Sequence, residues 1–365
     1  LAQKLYLEVI EHEPTNAVAY TNLGVCFFAQ NLLDEAAECF LAANKVDPNY
    51  IQAVYNYSHL LLLKREYYDG FDLYRTRYDE RIRGNGAGGV AYPPTLLTPN
   101  DSIKGKTLYI SHEQGFGDTI NFARYYPMFL AEGARVISYV PESLIKLFAR
   151  AYPEVEFILP GSDITFDFNC PLAEAAYLFG TTYESVPFGK GYLSVDADDA
   201  AELKKRLGIN GAKPKIGFNY KGSQGKDAVK NRSIELTMIL EKITPLREDF
   251  DFYCLQYERT PAEDTLLDSH AIPNLGVHIK DFYDTALLIE AMDAVFSIDT
   301  SFLHLAGALG KKGFGLLKFH PDWRWSLHDE KSAWYESLTL IRQRKAHDWG
   351  SVMDDLITKL KNEIV

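Results

Sequence analysis

From Gly105 onward the chain repeats one unit: a short apolar run, a few small or polar residues, then an amphipathic helical pattern. Apolar runs of this kind are strands buried on both faces, and the helices between them must cross back over the sheet. Such a chain folds as parallel α/β layers. The clearest unit runs from Ala294 to Gly310. Residues 294–298 read as a buried strand, Asp299, Thr300 and Ser301 as the turn, and Phe302 to Leu309 as a small-residue helix closed by Gly310. A strand that turns directly into a helix aims the helix's first free N–H groups, and the positive end of its dipole, beyond the sheet edge. Thr300 and Ser301 add hydroxyl donors, and His304 lies one turn in, facing the same mouth. The chemistry implied is the holding of a pyrophosphate, most naturally that of a nucleotide-activated sugar. Asp299 or Thr300 can equally serve only as a helix cap.

The same rhythm predicts two Rossmann-like halves. In the first, strands fall at 107–111, 136–140, 155–159 and 166–169, with helices at 120–131 and 143–151. In the second, a helix at 199–207 leads to strands at 215–219, 251–255, 294–298 and 313–317. Helices at 236–243, capped by Ser233, and at 285–292 lie between them. Ligands of such sheets bind beyond the carboxyl ends of the strands, where the strand order reverses.

A length of 365 residues suggests two or three domains. The net charge of −12 argues against nucleic acid as a partner. No apolar stretch approaches the roughly 20 residues that span a bilayer. The run Leu60 to Leu63 is short and meets Lys64 and Arg65 at once. We therefore expect no transmembrane segment, no signal peptide and a cytoplasmic location. Leu1 reads as the middle of a helix, as if the chain were cut from a longer one. Cys26, Cys39, Cys170 and Cys254 form no C-x-x-C pair, so neither a zinc site nor a disulfide framework is expected. They read as small buried hydrophobes in a reducing compartment.

The first 80 residues follow a different rule. Pro14 and Pro48 stand 34 positions apart, and residues 17–50 form one complete unit between such turns. Tyr20, Leu23, Gly24 and Phe27 make the packing face of its first helix, and Ala36, Phe40 and Ala43 that of its second. Gly24, Ala36 and Ala43 are small enough to let the helices approach closely. The pattern resembles a tetratricopeptide repeat at nearly every diagnostic position. The following unit is degenerate, with Tyr57, Ser58 and Gly70 in place of the usual Leu, Gly and Ala. Degeneracy at the end of an array goes with capping or docking onto another domain. The array reads either as a protein-binding superhelix or as a structural cap. The expected organisation is an array over 1–80, a linker over 81–104, a first half over 105–197 and a second half over 198–365. The last helix could pack back on the first half. The linker's glycines at 84, 86, 88 and 89 and its prolines at 93, 94 and 99 also suit a mobile lid.

Candidate chemistry sits on the loops after strands. After 107–111 come His112, Glu113, Gln114, Gly115, Phe116, Gly117 and Asp118. The glycines permit close approach of backbone to a ligand. Asp118 at the mouth suits a general base, and it equally suits a helix N-cap. If the base lies elsewhere, Glu113 and His112 are next. There is no G-x-G-x-x-G, which counts against a dinucleotide dehydrogenase. In the second half Lys221 follows a strand directly and suits a phosphate. Lys226 and Lys230 read as a solvated loop, and Arg232 as a group that could face the cleft. Gln256 is placed to reach a base or ribose. Trp323 and Trp325 flank Arg324 and suit either stacking on a ligand or docking of the C-terminal helix.

Three blocks taken together look like a known family. They are E-Q-G-F-G-D-T-I-N-F-A-R-Y at 113–125, D-T-S-F-L-H-L-A-G-A-L-G at 299–310 and P-D-W-R-W at 321–325. They resemble bacterial tetratricopeptide-repeat proteins that carry a heptosyltransferase-like, family 9-related glycosyltransferase domain. That resemblance implies a GT-B fold, an acceptor-binding first half and a donor-binding second half. It implies Asp118 as the base. It implies Thr300, Ser301 and His304 on the donor's diphosphate and Lys221 on its phosphate. From their position on the same loops, Gly117, Gln256 and Asp299 are further candidates around the donor, and Glu113, Gln114, Arg232 and Trp323 further substrate contacts. Ser301 departs from the family, where glycine is usual, and the lipopolysaccharide enzymes lack the repeats. A repeat array fused to a GT-B domain is also the arrangement of protein O-glycosyltransferases. The expectation is therefore an inverting, metal-independent transferase with no cofactor, a nucleotide-sugar donor and a protein acceptor recruited by the repeats. The alternatives are a non-catalytic scaffold, a lipopolysaccharide-type heptosyltransferase, or an epimerase, for which no convincing second acid/base residue stands out.

Overall fold

The structure, a computed structural model, describes residues 1–83, 95–222 and 232–364. Most of the expected linker or lid, residues 84–94, lies outside the described residues, as do Ser223, Lys226 and Lys230. Five helices open the chain: α1 (Ala2–His12), α2 (Ala17–Phe28), α3 (Leu33–Val46), α4 (Ile51–Leu63) and α5 (Tyr67–Tyr74). Asn16 caps α2 by accepting the Ala19 N–H at 2.9 Å. The Asp47 carboxylate accepts the Asn49 N–H at 2.9 Å in the turn before α4. Small residues decide how close α2 and α3 come. A Cβ on Gly24 would fall 2.6 Å from the Phe40 ring, and Ala36 and Ala43 are fully buried.

The strands are β1 (Thr107–Ser111), β2 (Arg135–Tyr139), β3 (Glu156–Ile158), β4 (Phe168–Pro171), β5 (Lys215–Asn219), β6 (Asp251–Cys254), β7 (Ala294–Ile298), β8 (Gly313–Leu317) and β9 (Leu338–Arg342). They form two sheets ordered β3-β2-β1-β4 and β6-β5-β7-β8-β9, parallel throughout. Every residue of β7 and β8 is buried, which is why these strands read as near-continuous apolar runs. The order reverses at β1/β4 in the first sheet and at β5/β7 in the second. Those are the places where ligands of open α/β sheets bind. Of the expected linker, Leu96 bridges to Asn169 of β4, so residues 95–97 lie along a sheet edge.

The covering helices are α6 (Phe116–Phe122), α7 (Tyr126–Ala131), α8 (Glu142–Ala151), α9 (Ala197–Arg206), α10 (Leu236–Ile243), α11 (Pro261–Ser269), α12 (Phe282–Glu290), α13 (Ser301–Ala308) and α14 (Trp349–Glu363). The helix expected at 120–131 is two helices joined by a 3₁₀ turn, Ala123–Tyr125, and it begins earlier. Pro127 lacks the N–H that would continue the first helix and sits in the opening turn of the second. Glu235, not Ser233, occupies the N-cap of α10, without a side-chain bond. The expected strand list had neither β9 nor the helix α11, although Thr260, Pro261 and Glu263 make a capping box with Pro in the first turn. Cys170 and Cys254 are buried while Cys26 and Cys39 are half-buried, and all are free thiols. No helix of the described residues is long and apolar enough to cross a membrane.

One hydrophobic core runs through the array and both halves. It joins Leu62, Tyr67 and Phe71 to Ile110 and Phe122, and to Leu303, Trp323 and Trp334. The Trp334 ring stacks on Tyr67 with centroids 5.6 Å apart and meets Trp323 edge-on at 5.9 Å. A second core, with Phe218, Ile239, Phe296 and Met353, lies under the other face of the second sheet.

Candidate active site at the seam of the two halves

α6 follows β1, and α13 follows β7. The two helices pack against each other across the seam. Contact is close at Gly117, where a Cβ would fall 2.8 Å from His304 Cδ2 and 3.6 Å from Ser301 Cα. Gly117, expected beside the donor, therefore serves the approach of one half to the other.

Asp118 is the third residue of α6, not its N-cap. Gly115 holds the cap position, and its N–H donates back to Asp118 Oδ2 at 3.0 Å. The other carboxylate oxygen forms an ion pair with Arg324 Nη2 from the second half. Burial pushes the Asp118 carboxyl above its ordinary range, against the pull of Arg324. Arg324 itself is 6% exposed. Its Nη1 reaches Asp322 Oδ1 at 2.9 Å, its guanidinium lies 4.1 Å from the Trp323 ring centroid, and its Nε is buried without a partner. Burial would raise the Asp322 carboxyl, but Arg324 and its N–H outweigh that and hold it low. Arg324 entered the sequence reading only as the residue between two tryptophans. Two ionisable residues inside P-D-W-R-W were the available signal, because buried charges must be paired.

The neighbouring carboxylate, Asp299, accepts the Trp325 indole N–H at 2.9 Å and faces Arg232 at 3.5 Å. Burial and the nearby Asp322 push it up. Thr300 is the N-cap of α13, but its side chain does not cap the helix. Its hydroxyl instead shares a proton with Ser297 Oγ at 3.3 Å and reaches Asn219 Oδ1 at 3.4 Å. Ser301 opens the helix and is half-buried.

His304 does not face an open mouth. It is 5% exposed, and burial with the nearby Arg324 pushes it down to about 3, so it is neutral. Its tautomer follows from its neighbours. Asn121 Oδ1 accepts from Arg124 Nη2 at 3.2 Å and from the Tyr335 hydroxyl at 2.8 Å. The one phenolic proton is thereby used. His304 Nδ1, 2.9 Å from that hydroxyl, must carry its own proton, and Nε2 is left as an acceptor. An acceptor nitrogen suits a hydroxyl, not a phosphate oxygen.

Lys221 follows β5 as expected, but Nζ holds both oxygens of Glu263, at 2.8 and 2.6 Å. Burial would raise the Glu263 carboxyl, and the Lys221 and Thr260 bonds hold it low instead. Gln256 turns its Oε1 to the backbone N–H groups of Tyr220 and Lys221, at 3.3 and 3.1 Å, so it shapes the Lys221 loop. Glu113 is 4% exposed and receives Arg77 Nε at 2.8 Å and the Ala173 N–H at 3.1 Å. Gln114, at φ 62°, donates to the Tyr74 hydroxyl. Glu113 thus turns into the protein interior, while Gln114, bonded to Tyr74 of the array, stays exposed. Trp323 is 4% exposed and packs on Phe71 and Trp334, which leaves no face for a ligand. His112 is half-buried with its ring against Tyr139, and burial pushes it down. Among the described residues no group of three or more His, Cys, Asp or Glu side chains is arranged to hold a metal ion.

Residues 5–38 match the family model described as Tetratricopeptide repeat. Protein FlbA of Caulobacter vibrioides is 25% identical over 324 residues, covering 80% of this chain and 52% of that protein. The chain thus spans about half the length of the curated relative it matches. Among solved structures, an Escherichia coli ADP-heptose lipopolysaccharide heptosyltransferase II superposes with a TM-score of 0.53 at 15% identity, over 71% of this chain and 100% of that one. A glycosyl transferase family 9 protein from Veillonella parvula superposes with a TM-score of 0.51 at 9% identity, over 70% of this chain and 91% of that one. The chain therefore joins tetratricopeptide-type helices to the two-sheet GT-B fold that the heptosyltransferase-like family 9 structures share.

Proposed function

We propose that this chain moves a sugar from a nucleotide-activated donor to an acceptor hydroxyl, with inversion and without a metal ion. Asp118 takes the acceptor proton as the acceptor oxygen bonds to the anomeric carbon. The bond from that carbon to the diphosphate breaks, and its electron pair leaves with the nucleoside diphosphate. The leaving charge falls on the first-turn N–H groups at Ser301 and on Lys221, Arg232 and Arg324. Each of those cations has a carboxylate partner now, so an incoming diphosphate competes with Glu263, Asp299 and Asp118. His304 Nε2 accepts a hydrogen bond from a hydroxyl of donor sugar or acceptor. The observation that carries the reading is the Asp118–Arg324 pair, which joins a carboxylate in the first turn after β1 to a guanidinium from the turn after β8, beside the seam where Gly117 meets Ser301 at the start of α13.

The ADP-heptose of the similar Escherichia coli heptosyltransferase makes an ADP-linked sugar the first donor to try. The array supplies a surface for a protein acceptor: Val18 and Val25 on α2 and Leu41 on α3 are 48%, 42% and 50% exposed. A nucleotide-sugar donor suits a cytoplasmic reaction. The fully paired cations also favour a second reading, a scaffold on a transferase fold. A thermal-shift series with ADP, UDP, GDP, CDP and CMP separates the two. A rise in Tm with one diphosphate, followed by hydrolysis of its sugar ester, supports the transferase. No shift with any of them supports the scaffold.

A further inference from the structure

The repeat array does not end at its own core. Arg77 lies in the 3₁₀ turn Arg75–Tyr78 that follows α5, and it is 3% exposed. Its Nε donates to Glu113 Oε2 at 2.8 Å, and its Nη2 to Glu113 Oε1 at 3.0 Å and Glu174 Oε2 at 3.3 Å. Arg75 Nε holds the other Glu174 oxygen at 2.6 Å, and the Tyr78 hydroxyl donates to Glu174 at 3.0 Å. Glu113 stands in the loop after β1, five positions before Asp118. The next residue, Gln114, is bonded to Tyr74 of α5. The array therefore grips that loop at two consecutive residues.

The same hairpin also holds the second half. Arg65 pairs with Asp329, and the Trp334 indole donates to the Tyr67 hydroxyl at 3.1 Å. At the α2–α3 turn, Asn31 donates to the Phe319 carbonyl at 2.8 Å and its Oδ1 meets His320 Nδ1 at 2.7 Å. A pure cap would need only apolar burial. Here two buried carboxylates share one guanidinium, an arrangement whose geometry is fixed because a displaced partner leaves a buried charge uncompensated.

We infer that Arg77 is a positioning residue: through Glu113 it sets the loop that carries Asp118, so the last repeat hairpin is a working part of the catalytic unit. The inference rests on the role given to Asp118 above. Its test compares Arg77→Met and Arg77→Lys with Arg65→Gln, which removes the ion pair to Asp329 and the contact with the Tyr183 ring but no bond to residues 112–118. Hydrogen–deuterium exchange of residues 112–118 reads the loop without any substrate. Donor turnover reads the consequence. Arg77→Met should raise exchange of that loop at least tenfold and lower kcat at least tenfold, with donor KM within threefold. Arg77→Lys should recover part of both. Arg65→Gln should change neither. Should Arg77→Met fail to fold, Arg77→Lys alone must show raised loop exchange. Unchanged loop exchange in the Arg77 variants overturns the inference. Raised exchange with no turnover in the unmodified protein upholds the loop contact and instead overturns the proposed activity.

Discussion

Arg324 and Asp118 form an ion pair that joins the two halves, one residue from a turn after the second sheet's β8 and the other from the first turn after β1. A carboxylate so placed is held on both oxygens and only partly open to solvent. That combination suits a base that must stay unprotonated until an acceptor hydroxyl arrives.

Asp118→Asn should lower turnover about 10²–10⁴-fold, the usual worth of a positioned general base. The amide oxygen still accepts the Gly115 N–H, but its NH2 then faces the Arg324 guanidinium, so Tm should fall somewhat while Asp322 still pairs that charge. Asp118→Ala removes that bond as well and should cost about 1 kcal/mol of stability. Single-turnover kinetics with both substrates saturating, beside a melting curve, check this. Near-normal turnover in the Asn variant would move the base elsewhere.

The acidic limb of the kcat/KM profile should report the same carboxyl. Burial raises it and Arg324 lowers it, so the limb should lie above the ordinary Asp range. Arg324→Gln removes the lowering cation and should move the limb to higher pH. A limb that stays in place would mean that the titrating group is not Asp118.

Much of the fold was legible because it is local. The bounds of β5, β7 and β8 follow from apolar runs between polar ends, since a strand buried on both faces has little choice of residue. The limits of α6 and α7 were less legible because Pro127 divides one apolar pattern into two helices. At the site, Asp118, Ser301, Lys221 and Arg232 could be located from their position after strands. Their partners could not, because Arg324, Glu263 and Asp299 are brought to them by tertiary packing. Glu113 and Trp323 looked available for a ligand only because Arg77 and Phe71 are distant in sequence.

Acid should destabilise the fold through His304 as well as through its paired carboxylates. His304 is pushed down to about 3 in the folded state, below the ordinary value near 6.5. Between those values the unfolded chain binds a proton that the folded one refuses, so stability falls as pH drops through that window. The slope is at most about 1.4 kcal/mol per pH unit for one such group. His320, pushed down to about 4, acts in the same direction. His304→Gln should flatten the fall between pH 6 and pH 4, to be read by urea unfolding at each pH. A variant whose stability curve parallels that of the parent would mean that His304 is already protonated in the fold.

The last prediction turns on Glu263, which holds Lys221 by both oxygens. If the lysine is to meet a diphosphate, this carboxylate is its competitor. Lys221→Met should weaken nucleoside diphosphate binding by about 1.5–3 kcal/mol, the worth of one charge-assisted hydrogen bond. Glu263→Gln should act in the opposite direction and tighten binding by about 1 kcal/mol or less, because a partly exposed ion pair adds little net energy. Gln keeps an oxygen for the Thr260 N–H, now bonded to Glu263 at 2.7 Å, so the start of α11 should survive. Protonating Glu263 should do the same to the parent. Affinity should therefore rise as pH falls through the range of that carboxyl, which Lys221 and Thr260 hold below its ordinary value. Isothermal titration of both variants with the diphosphate found by the thermal-shift series checks the opposite signs. Weakening in both variants would show that Glu263 serves to aim Lys221 and does not compete for it.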